Sequence, residues 1–164
     1  MDNDVLDALY RRHYSAAYLY CRSLCGDAHT AQDIVADAFV KAYLSLPDDV
    51  PSFRYWLLRV CKNLCIDLCR RQSRLTEPAA LEFIPDTHTP ETRYLENEKR
   101  RILCAALNTL PPADRELIIL HYFSGLPLKE IAPLMGINYE AVRQRMVRSR
   151  QKLREKLEAQ GYEG

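Results

Sequence analysis

From Leu126 to Lys156 the apolar residues recur with helical period, break once at Gly136, and run on into a row of arginines. Two helices joined by a tight turn satisfy that pattern. Leu128, Ile131, Leu134 and Met135 share one face of the first. Gly136 suits the left-handed residue that ends a helix, Asn138 is a good N-cap, and Ile137 stands where it can staple onto Val142. In the second helix Val142, Met146 and Leu153 are expected to face inward. Tyr139, Glu140, Arg143, Gln144 and Arg145 project from its first turns, the part of a helix-turn-helix that enters a major groove. Residues 143 to 156 hold seven basic residues against one acid, Glu155, a density that suits phosphate, although a solvated helix face also carries basic runs. Pro133 cannot donate to the Lys129 carbonyl and would cost up to ~3 kcal/mol in a regular helix interior. The first helix should therefore be short or bent.

The rest of the chain is also helical in pattern. A first helix fits residues 4 to 25 and closes at Gly26, a second fits Thr30 to Leu46 and stops at Pro47, and a third runs from Phe53 to Gln72. Between them, Pro47 to Ser52 reads as a loop. Periodicity fades from 73 to 95, where Pro78, Pro85 and Pro90 interrupt an acidic stretch, and resumes at Tyr94. After Pro111-Pro112, residues Asp114 to Tyr122 fit one more helix; the β-branched and aromatic content of Leu117 to Phe123 leaves strand open there, but no segment alternates for long. The expectation is an all-α chain: a helical domain over 1–72, a flexible linker over 73–95 spanning about 25 Å as a random chain, and a helix-turn-helix domain over 96–164.

Several function classes drop out. A formal net charge of +1 hides a segregated distribution, with six acids and one base from 75 to 98. No membrane span or signal peptide is visible, so membrane insertion is not expected. The four histidines are scattered, and no nucleophile context or glycine-rich phosphate loop appears among five glycines; neither an enzyme nor a cofactor is expected. Cys21 and Cys25, and Cys61, Cys65 and Cys69, recur every four residues. Zinc spacings are usually tighter, so these thiols read as core packing in a reducing cytoplasm, with no metal.

Three stretches then line up: Asp27-Ala-His-Thr-Ala-Gln-Asp33-Ile-Val-Ala-Asp37-Ala-Phe39-Val-Lys-Ala-Tyr43, Phe53-Arg-Tyr-Trp56-Leu-Leu-Arg59-Val-Cys-Lys-Asn63-Leu-Cys-Ile-Asp67-Leu-Cys-Arg70-Arg71, and Leu110-Pro-Pro-Ala-Asp-Arg-Glu-Leu running through the helix-turn-helix. In that order they resemble the extracytoplasmic-function (ECF) class of bacterial RNA polymerase sigma factors, over nearly the whole chain except the linker. Pro127 departs from the small polar N-cap usual in that class.

The resemblance implies roles. Asp33, Asp37, Phe39 and Lys41 correspond to the region-two surface that docks on a coiled coil of core RNA polymerase. The loop and third helix would capture the opened promoter strand, with Pro47, Asp48, Asp49, Ser52, Arg59, Asn63, Arg70 and Arg71 as contacts; aromatics and a cationic track suit single-stranded DNA. Trp56 reads better as core. Tyr139, Glu140, Arg143, Gln144, Arg145, Arg148, Arg150 and Lys152 would meet the upstream promoter element as duplex. Arg143 and Arg145 are the first choices for bases, and Arg148, Arg150 and Lys152 for phosphates. An anti-sigma partner is also implied. The competing reading is a stand-alone helix-turn-helix regulator with a sensor or dimerisation domain over 1–72.

Overall fold

The computed structural model describes residues 3–45, 52–71 and 90–161, and all its regular structure there is helical. Three helices form the N-terminal half: α1 (Asn3–Cys25), α2 (Ala28–Ser45) and α3 (Phe53–Arg71). The C-terminal half holds α4 (Pro90–Asn108), α5 (Pro112–Ile118), α6 (Leu128–Met135) and α7 (Tyr139–Ala159). A π-turn over Ile119–Phe123 continues α5, so the β-branched run that left strand open is helical and its Ile119 and Leu120 are buried.

Local chemistry explains where these elements begin and end. Gly26 has φ 73° and closes α1. The Asp27 carboxylate accepts from the backbone N–H groups of His29 and Thr30 and from the Thr30 hydroxyl. That cap starts α2 two residues before the expected Thr30. Helix α4 starts at Pro90, inside the stretch assigned to the linker. A proline at the first helical position loses no hydrogen bond, because that N–H would be unpaired anyway.

The helix-turn-helix follows its sequence signals. Pro133 lies inside α6, and the helix ends two residues later. Asn138 Oδ1 accepts from Ala141 N at 2.8 Å. Gly136 has φ 71° with nothing within 4 Å of where a Cβ would stand, so its demand is purely conformational. Gly136→Ala is expected to cost about 1–2 kcal/mol and to lower the melting temperature without changing helix content, read by circular dichroism.

The core is one continuous buried cluster. Ala17, Tyr20, Cys21, Val35, Phe39, Leu57, Leu58 and Cys61 from the N-terminal half join Leu107, Leu117, Ile118, Leu120, Leu126, Ile131, Val142 and Met146 from the other. Trp56 packs on it partly buried, stacked on Phe53 at 5.9 Å. The two halves thus dock on each other, which helical periodicity does not reveal.

Candidate nucleic-acid and partner interfaces

Helix α2 carries its acids outward. Asp33, Asp37 and Lys41 are exposed at four-residue spacing, along one face. Asp33 and Asp37 line a groove of about 320 Å³ between α2 and α3, together with Thr30, Asp67 and Arg71. Phe39 is 5% exposed and packs edge-on against Tyr10, beneath that face. Arg71 lines the same groove as the carboxylates of Asp33, Asp37 and Asp67.

On α3, Arg59, Asn63 and Arg70 are exposed and, spaced by four and seven, form a single stripe. Pro47, Asp48 and Asp49 lie outside the described residues. Ser52 is half-buried and its hydroxyl approaches Glu130 of α6 at 3.4 Å. Arg54 reaches the Gly125 carbonyl. Lys62, a cation of the same helix, turns away from the stripe into the contact between the halves.

That contact centres on Glu116 of α5. Its Oε1 accepts from the Tyr20 hydroxyl at 2.6 Å and from Lys62 Nζ at 2.9 Å. Lys62 also donates to the Leu134 carbonyl at 2.7 Å, near the C-terminus of α6. The Lys62 and Glu116 side chains are only 18% and 14% exposed, and Tyr20 is fully buried. Burial, then the neighbouring Glu116 charge, pushes the Tyr20 hydroxyl well above the usual tyrosine range, so it stays a donor.

The basic row on α7 divides into two populations. Gln144, Arg148 and Arg150 are exposed. Arg143 is also exposed, paired with Glu140 at 3.2 Å and near the Tyr139 ring; exposed pairs of this kind are worth under ~1 kcal/mol and release readily to a ligand. Arg150 bonds the Tyr122 hydroxyl and stacks over its ring. By contrast, Lys152 and Arg145 both face Asp114 of α5, at 2.9 and 3.8 Å. Asp114, 4% exposed, also accepts from the fully buried Ser149 at 2.9 Å. Burial raises the Asp114 carboxyl pKa, but the Lys152 and Ser149 bonds and the Arg145 charge outweigh it, so the group titrates below the usual range. Sequence reasoning missed Asp114, Glu116 and Ser149. The only available signal was Ser149 falling between Met146 and Leu153 on the inward seam.

The described helices include none long and apolar enough to cross a membrane. Among the described residues, no group of three or more His, Cys, Asp or Glu side chains is placed to hold a metal ion.

An acidic helix face, a basic stripe on the next helix and a helix-turn-helix with an arginine-rich second helix define a protein built for recognition. Residues 9–75 match the family model for Sigma-70 region 2, and residues 100–153 that for Sigma-70, region 4. The RNA polymerase sigma factor NccH of Alcaligenes xylosoxydans xylosoxydans is 34% identical, over 93% of this chain and 86% of that protein. The ECF RNA polymerase sigma factor SigE of Mycolicibacterium smegmatis is 32% identical over 92% of this chain, which spans 61% of that longer relative. The structure of CnrH in complex with the cytosolic domain of CnrY superposes with a TM-score of 0.62 at 28% identity, covering 96% of this chain and 90% of CnrH. The chain belongs to the ECF class of the sigma-70 family. That class is non-enzymatic.

Proposed function

We propose that this chain is an alternative sigma factor of the cytoplasm that binds core RNA polymerase, directs it to a two-part promoter and holds the melted strand. The observation that carries this reading is the occurrence, in one chain and in order, of the region 2 and region 4 matches with three separate charged surfaces. The exposed Asp33–Asp37–Lys41 face of α2 offers carboxylates to a basic polymerase helix. Arg59, Asn63 and Arg70 of α3 form a cationic track for a single strand. Arg143 and Gln144 of α7 reach bases, and Arg148 and Arg150 hold phosphates. Arg145 and Lys152 act from their places beside Asp114, with Tyr139 and Glu140 setting the Arg143 side chain. The Pro47–Ser52 segment would add strand contacts, and the segment between the two domains would tether them, raising the effective concentration of the second DNA contact. A soluble anti-sigma domain is a fitting regulator, given that CnrH was solved with a cytosolic domain of a second protein.

The test is co-elution of the purified chain with sigma-free bacterial core polymerase, followed by transcription from the DNA upstream of its own gene. Association with promoter-dependent transcripts is the expected result; duplex binding without core association would establish the regulator reading. The surfaces should separate by variant. Arg143→Ala is expected to weaken upstream-element use by roughly 10- to 100-fold, the equivalent of one lost base contact at ~1–3 kcal/mol, with core binding intact. Asp33→Ala with Asp37→Ala should do the reverse, lowering core affinity and leaving duplex binding by the isolated sigma unchanged.

A further inference from the structure

Arg143, Arg145, Lys152 and Arg154 of α7 each face a carboxylate. Arg150 faces a phenol instead. Its Nε donates to the Tyr122 hydroxyl, and its guanidinium carbon lies 5.6 Å from the centre of that ring. A neutral aromatic partner holds the side chain in place without offsetting its charge.

Tyr122 is itself fixed from behind. It belongs to the π-turn Ile119–Phe123, a kind of turn frequent at functional sites. That turn keeps Ile119 and Leu120 in the core and leaves Tyr122 51% exposed. The His121 ring meets the Tyr122 ring edge-on at 4.9 Å, and His121 Nδ1 donates to the Leu126 carbonyl at 2.9 Å. A chain of contacts thus runs from the backbone after the π-turn to the Arg150 guanidinium. A hydroxyl that accepts from Nε keeps its own hydrogen, and both Nη groups keep theirs. The pair therefore offers solvent several donors and one unspent positive charge, the complement of a phosphate.

We propose that Tyr122 and Arg150 form one phosphate-binding unit of the duplex interface, in which Tyr122 holds the guanidinium and donates its own hydrogen to the same phosphate. The inference rests on the reading of α7 as the helix that meets the upstream element, and adds to it a contact from outside the helix-turn-helix. Arg143 and Arg150 are seven residues apart, on one face, and about 10 Å apart along the axis. That separation is close to the ~8.5 Å depth of a major groove. A helix whose tip reads bases through Arg143 therefore carries Arg150 out to the level of the backbone, where tyrosine hydroxyls are ordinary phosphate donors. Holding Arg150 in place beforehand also lowers the entropy that a free arginine loses on binding.

The test uses the full chain bound to core polymerase and the duplex from upstream of its own gene, with single phosphates replaced in turn by neutral methylphosphonates. One backbone position should be sensitive in the parent, insensitive in Arg150→Ala and less sensitive in Tyr122→Phe. Arg150→Ala should weaken binding on every sequence and lower the salt slope by about one. Tyr122→Phe keeps the ring and the charge, so it should weaken binding roughly three- to ten-fold at an unchanged slope and with unaltered sequence preference. The double variant should lose less than the product of the two single losses. Circular dichroism melts verify that the variants are folded. Parent-like binding by Tyr122→Phe would overturn the proposal, as would losses that multiply in the double variant, or full sensitivity of Tyr122→Phe at the Arg150 phosphate. Failure of the underlying reading looks different. A parent that does not associate with core overturns the sigma reading, and the same phosphate scan on the chain alone then decides the Tyr122 contact; a parent that binds no duplex in either form overturns both.

Discussion

Asp114→Ala is expected to cost the C-terminal domain about 1–3 kcal/mol, the range for leaving a buried hydrogen-bonding group unpaired, with the partly exposed Lys152 and Arg145 pairs adding under ~1 kcal/mol each. The carboxylate is 4% exposed and serves three donors at once: Ser149, Lys152 and Arg145. Its loss leaves the Ser149 hydroxyl unpaired in a fully buried position and sets two cations of α7 against each other beside α5. Asp114→Asn should recover part of the loss, since the amide oxygen can still accept from Ser149. Urea unfolding with an unchanged slope would read both. A pH dependence follows from the same contacts. As pH falls below the unfolded carboxylate value of 3.8, the unfolded chain takes up the proton first, and the native chain does so only at lower pH. The stabilisation by Asp114 is therefore complete above pH 3.8 and is lost as pH drops through the depressed native value. The Asn variant should lose this portion of the acid transition. A wild-type-like melt for Asp114→Ala would mean that α7 is held by its apolar seam alone.

Helices were legible in this chain because an apolar stripe at helical spacing has few other solutions, and the turn at Gly136 because left-handed glycine and an asparagine cap are short-range chemistry. The charged surfaces were half legible. Spacing placed Asp33, Asp37 and Lys41 on one face and Arg59, Asn63 and Arg70 on another, and the structure keeps them there. Spacing cannot report which neighbour covers a face. Phe39, expected among the contacts of the acidic face, packs mostly inward against Tyr10 and Phe53. Arg71, one residue past Arg70, rotates by about 100° of helix into the acidic groove. Arg145 and Lys152 looked like the rest of the basic row until α5 placed Asp114 against them. Asp114 and Glu116 read as ordinary acids after a Pro-Pro turn; only tertiary packing makes one the anchor of α7 and the other the joint between domains. The docking of the halves was invisible for the same reason. Each half shows complete helical periodicity by itself, and the groups that join them are a tyrosine, a lysine and a glutamate, 96 and 54 residues apart from Glu116 in sequence.

Glu116→Ala is expected to open the molecule while each helix remains formed. Glu116 Oε1 receives both Tyr20 and Lys62, and hydrogen bonds to a charged group contribute ~1.5–3 kcal/mol each. Some of that returns when Lys62 keeps the Leu134 carbonyl and when the opened groups meet water. A net shift of about 2–4 kcal/mol moves the closed-to-open ratio by roughly 30- to several-hundred-fold. The radius of gyration from small-angle scattering should rise, with the circular dichroism spectrum unchanged. Glu116→Gln should fall between, because its amide oxygen still accepts from Tyr20 while the ion pair with Lys62 is gone. The consequence for DNA runs through α3. In the closed form Ser52 meets Glu130 and Lys62 is spent on Glu116, so two polar groups at and just before α3, the helix proposed to hold the single strand, are occupied by the C-terminal half. Opening returns both, and Glu116→Ala should bind single-stranded promoter DNA more tightly than the parent. An unchanged radius of gyration together with unchanged strand affinity would show that the apolar contact between α1, α5 and the π-turn holds the halves together without this carboxylate.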